Sequence, residues 1–128
     1  MTGFKDLLVV VDNSKTCATR LDVAVHVASR FGTHLTGLFV KEPPNVPVLV
    51  QSEFPAHVRP PSDYVEMHRQ AWREAARGAQ QLFRARADVA GITTEWRERE
   101  GDVAEIASLH ARYTDMVIVV YVASEKVL

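Results

Sequence analysis

The chain has 128 residues, 47% of them hydrophobic and 24% charged, which is enough for one domain with its own core and too little for two. Fifteen basic and 16 acidic residues leave a net charge of −1, a balance that gives no reason to expect nucleic acid or a membrane surface as the main partner. The single cysteine, Cys17, excludes an internal disulfide and suits a reducing cytoplasm.

The chain opens with MTGFKDLLVVVD, whose apolar run after Asp6 is too short for the core of a signal peptide or for a membrane span. A soluble, cytoplasmic protein is therefore expected. Within Phe4 to Asp12, the residues Leu7, Leu8, Val9, Val10 and Val11 form an unbroken row. A β-branched run without alternation indicates a strand covered on both faces, as in parallel sheets. Asp12, Asn13 and Ser14 follow with cap and turn chemistry. A helix is predicted from about Lys15 to Phe31, with Leu21, Val25 or Ala24, Ala28 and Phe31 on one apolar face. Gly32 stands where a helix end favours positive φ. His34 to Val40 (HLTGLFV) reads as a second strand.

Lys41 to Asp63 holds all six prolines and reads as a long irregular insertion of the kind that is often functional. Inside it, Val46 to Val50 has strand-like composition, but Pro47 would confine it to an edge or a turn. Tyr64 to about Ala90 is the longest predicted helix, about 40 Å at 1.5 Å per residue. Trp72, Ala75 or Ala76, Ala79, Phe83 and Val89 are placed on one side, with Arg69, Arg73, Arg77 and Arg84 largely on the other. Gly91 ends it. Ile92 to Glu98 (ITTEWRE) alternates, which suits an edge strand. Asp102 and Glu105 form a capping-box pattern at the start of a helix whose stripe is Val103, Ile106, Ala107 and Tyr113. Asp115 to Val120 is the fourth strand. Alternating strands and helices imply an α/β fold: an open parallel sheet with right-handed crossovers and helices on both faces.

In such sheets ligands bind beyond the carboxyl ends of the strands. Asp12 is the best-placed polar residue for that role: its carboxylate can accept hydrogen bonds from a ribose or an adenine amino group. It can equally cap the first helix, and the two roles are compatible. No two of the six glycines are close enough to form a phosphate cradle, and no nucleotide-loop motif is present. His26, His34, His57, His68 and His110 show no ligand spacing with one another, with Cys17 or with a carboxylate, so no metal is expected. Cys17 is read as a small buried apolar residue. Ser14 and Thr16 are read as helix-start residues rather than nucleophiles. Glu66 and Glu74 interleave with the arginines of the long helix, so that face is read as solvated. No nucleophile–base set stands out, and the protein is not expected to be an enzyme.

Taken together, FKDLLVVVDNS, HLTGLFV, the long second helix and GDVAEIASLHARYTDMVIVV resemble the universal stress protein family. The resemblance covers nearly the whole chain, 1–128, as one domain in which 41–63 is a proline-rich insertion. It implies a Rossmann-like fold of the adenine nucleotide alpha hydrolase-like type. Members usually have five strands in the order 3-2-1-4-5, and four are recognisable here. Val10, Val11, Asp12 and Val40 match the adenine and ribose side of the family's nucleotide site. The family's phosphate loop, Gly-x2-Gly-x9-Gly-(Ser or Thr), should begin at Val120, and no glycine follows. The resemblance thus leaves two functions open. One is a stress-response binding and interaction domain without tight ATP binding, acting with protein partners. The other is a module for ATP or AMP. It further implies a homodimer. Either a second copy or the tail Tyr121 to Leu128 is expected to cover the edge of the fourth strand, which natural proteins rarely leave open.

Overall fold

The computed structural model describes residues 4–42 and 62–119. Most of the proline-rich insertion, including Val46 to Val50 and His57, lies outside the described residues, as do Val120 and the tail that follows it. The elements are β1 (Asp6–Val10), α1 (Cys17–Phe31), β2 (His34–Lys41), α2 (Ser62–Ala90), β3 (Thr94–Glu100), α3 (Val103–Ala111) and β4 (Met116–Ile118). The four strands form one parallel sheet in the order β3-β2-β1-β4. This is the predicted α/β architecture. The alternating segment forms an edge strand, as its pattern suggested.

The two central strands carry the apolar runs. Leu7, Leu8, Val9, Val10 and Val11 are all buried, as are Leu35, Leu38, Phe39 and Val40 of β2. Their alternating side chains feed two cores on opposite faces of the sheet. On one face, Leu7, Val9, Val11, Leu35 and Phe39 pack against Leu21, Ala24 and Ala28 of α1 and against Ala76, Ala79 and Phe83 of α2. On the other, Leu8, Leu38 and Val40 meet Val103 and Ile106 of α3. Each large apolar side chain buried in this way contributes about 1.5–3 kcal/mol, so the first and larger core holds most of the stability.

Helix ends follow local chemistry. Gly32 closes α1 at φ 62°, ψ 37°, and its N–H donates to the Ala28 carbonyl. Asp102 caps α3 by accepting from the Glu105 N–H at 3.0 Å. At the amino ends of the strands, the Asp115 carboxylate accepts the N–H groups of Lys5 and Asp6 at 2.8 and 3.0 Å. That staple sets β4 in register beside β1.

Three expected stripe residues face water instead, among them Phe31, 46% exposed at the last residue of α1. Val89 is 90% exposed, and Ala87 takes the buried place after Phe83. Four residues on from Phe83 returns to the same helix face, whereas six residues on lies about 120° away around the helix. Tyr113 is 82% exposed because α3 ends at Ala111, so the helical period no longer directs it.

Candidate functional site

Val10, Val11, Asp12 and Val40 come together at the carboxyl ends of the two central strands. Val10 pairs with Leu38, and the Val11 N–H donates to the Leu38 carbonyl at 2.8 Å. Asp12 and Val40 therefore each lie two residues beyond the last paired position. All three valines are buried, and Val40 belongs to the core beneath α3. Asp12 is the polar group that remains at the surface.

Its carboxylate is already engaged. Oδ1 accepts from the Ser14 N–H at 2.9 Å and from the Ser14 hydroxyl at 2.6 Å. Oδ2 faces the Arg20 guanidinium at 3.3 Å. The bond to the N–H two residues on is an Asx turn, not a helix cap. The helix itself begins later, with Thr16 at the N-cap making no side-chain cap bond. The capping role expected of Asp12 and Ser14 is thus replaced by a turn that leads into α1. Burial works against the charged carboxylate, but the two Ser14 bonds and Arg20 outweigh it and hold Asp12 below the ordinary carboxylate range. Such a group is a poor proton acceptor at neutral pH.

Arg20 was not singled out from the sequence, yet it organises this loop. Its side chain is 5% exposed. One guanidinium nitrogen donates to the Val10 carbonyl at 2.6 Å as well as to Asp12, and the other reaches the Ser14 and Thr16 hydroxyls at 3.3 Å. A signal was present: Arg20 sits among Cys17, Leu21 and Ala24, on the side of α1 that the apolar spacing buries. A cation on that side has to find acceptors, and the end of β1 supplies them. Cys17 lies beside it, fully buried, and burial pushes its thiol pKa up.

A second feature lies at the carboxyl ends of β2 and β3, on the face that carries α2. It is a cleft of about 260 Å³ lined by Lys41, Glu42, His68, Arg69, Trp72, Arg73 and Glu100. Two of the helix arginines read as solvated, Arg69 and Arg73, stand at this cleft. Among the described residues no group of three His, Cys, Asp or Glu side chains could hold a metal ion.

A sequence model of the Universal stress protein family matches residues 3–126. The chain belongs to that family. No curated protein matches it. Several solved universal stress protein structures share its fold. One, from Burkholderia pseudomallei, is 24% identical, with a TM-score of 0.65 over 91% of this chain and 80% of that one. UspA from Lactobacillus plantarum is 16% identical, with a TM-score of 0.66 over 93% and 78%. A universal stress protein in complex with cAMP is 16% identical, with a TM-score of 0.61 over 91% and 76%. At these identities the likeness establishes the fold. What this universal stress protein binds has to be argued from its own residues.

Proposed function

We propose that this universal stress protein is a binding and interaction domain of the stress response that does not hold ATP tightly. The engaged state of Asp12 carries the reading. A ribose hydroxyl or adenine amino group must compete with the Ser14 N–H, the Ser14 hydroxyl and Arg20, all bonded to the carboxylate already. On the phosphate side, Val120 and Ala123 stand where the family's loop would place its first two glycines. Without several charge-assisted bonds worth about 1.5–3 kcal/mol each, nucleotide binding weakens by orders of magnitude. Equilibrium dialysis against ATP with magnesium, up to millimolar, tests this. No binding is expected; micromolar binding that Asp12→Ala weakens would overturn it.

A second reading, an adenine-nucleotide module, is favoured by the solved relative in complex with cAMP. In that case Val10, Val11, Asp12 and Val40 would form the base and ribose side, and the same dialysis with AMP or cAMP would detect it. We further propose that the protein works in the cytoplasm as a homodimer. Among the described residues β4 pairs only with β1, and Met116 and Val119 are exposed along it. Sedimentation equilibrium should return twice the monomer mass, and a monomer at all concentrations would refute the dimer.

A further inference from the structure

The cleft between α2 and the ends of β2 and β3 is built unlike the Asp12 crevice: its wall is fixed, and two of its cations are uncommitted or weakly paired. Trp72 is half-buried and its ring is set edge-on against Phe39 at 5.8 Å. His68 stands beside it, with ring centroids 6.0 Å apart, accepting the indole N–H. The indole is therefore held in place before any ligand arrives. Lys41 is tied to Glu98 at 3.2 Å. Arg69 has no ion-pair partner among the described residues, and Arg73 meets only Glu66, at 3.9 Å with both side chains exposed. A pair of that kind contributes little and gives way readily.

Arg69 and Arg73 are four residues apart, so they project from the same face of α2, with Trp72 between them in sequence. Guanidinium groups hold a planar carboxylate through paired N–H donors. An indole face offers stacking area for a flat ring. Charge narrows the choice. Among the described residues of the lining, Lys41, Arg69 and Arg73 against Glu42 and Glu100 leave a single positive charge, which one monoanion neutralises and a polyphosphate overfills. A cleft of about 260 Å³ also falls below the span usual for drug-sized ligands.

We propose that this cleft binds a small aromatic carboxylate, its ring against Trp72 and its carboxylate on Arg69 and Arg73. The proposal goes beyond the functional reading above and does not depend on whether a nucleotide binds at Asp12.

The test uses benzoate as the probe and the two indole N–H resonances of the whole protein as reporters. Trp96 is partly buried against Phe83 and Phe39, is not among the lining residues, and serves as the internal control. Benzoate should move the Trp72 signal saturably and leave Trp96 still. Benzyl alcohol, with the ring but no charge, and acetate, with the charge but no ring, should each bind about tenfold more weakly or worse. The doubly substituted Arg69→Ala/Arg73→Ala protein should lose the benzoate response. Both arginines are exposed, and an unchanged Trp96 resonance would confirm that the fold survives. No movement of Trp72 with benzoate at millimolar concentrations overturns the proposal. So does an equal response to acetate, or a response that persists in the double variant.

Discussion

Replacing Arg20 with methionine is the sharpest test of how the end of β1 is organised. Methionine has similar length and adaptable shape, so little cavity is created. What disappears is the guanidinium and its bonds to the Val10 carbonyl, Asp12, Ser14 and Thr16. Removing one member of a fully buried ion pair costs about 3–5 kcal/mol. Arg20 meets the condition of burial, but the Asp12 side chain is 37% exposed and regains water once released. The lost bond to Val10 is a charge-assisted one to a buried carbonyl, worth about 1.5–3 kcal/mol. The expected loss is therefore about 3 kcal/mol, or roughly 10 °C in Tm for a chain of this length. Urea denaturation should show a lower midpoint with an unchanged slope. A loss below about 1 kcal/mol for Arg20→Met alone would refute the argument that this residue holds the loop.

Three further outcomes follow from other parts of the molecule. A Cβ built at Gly37 would lie 2.8 Å from Trp96 Cε3 and 3.0 Å from the Phe83 ring, so Gly37→Ala should destabilise the fold by about 1–3 kcal/mol in the same urea assay. Cys17 should resist iodoacetamide in the native protein and react once urea unfolds it, since the thiol is buried and burial raises its pKa; rapid native labelling, read by mass spectrometry, would contradict that placement. Burial, together with Arg97 and Arg99, pushes His110 below its ordinary value of 6.5, against the opposing pull of Glu95. The unfolded chain then takes up the proton first, so the stability tied to neutral His110 is present above pH 6.5 and falls as the pH drops below it. His110→Gln should flatten that acid limb in melts recorded across it, and an unchanged slope would show that the fold does not favour neutral His110.

The fold was legible because its signals are strong and local. An unbroken apolar run marked β1, alternation marked β3 as an edge, and Gly32 and Asp102 marked helix ends with chemistry that the structure reproduces. Misplacements came where a period was carried too far: to Val89, off the face of Phe83, and to Tyr113, past the end of α3. The sites were less legible. Asp12 and Val40 could be placed at the right end of the sheet because strand order alone decides that. Whether the carboxylate was available could not be read, because Arg20 reaches it from eight positions away, across the turn that precedes α1. The cleft was missed because it joins Lys41 to Trp72 and Glu100, residues that only the parallel pairing of β2 with β3 and the lie of α2 bring together.

The two regions of the sheet's carboxyl edge, beyond central β1 and beyond edge strand β3, thus differ in kind. Near β1, both oxygens of the Asp12 carboxylate are already bonded inside the chain, one to Ser14 and the other to the buried cation Arg20. Binding there must first break bonds of the strength that keeps the loop folded, which sets a threshold on affinity before any contact is gained. Near β3 the order is reversed: the aromatic wall is rigid, and two arginines stand exposed with weak competition. A ligand there displaces only the weak, exposed pair of Arg73 with Glu66. If the chain acts by binding small molecules, physical economy places that activity at the Trp72 cleft. Asp12 is then left as a structural element of the turn into α1. The two benzoate reporters and the ATP dialysis separate these assignments, because each site can succeed or fail without the other.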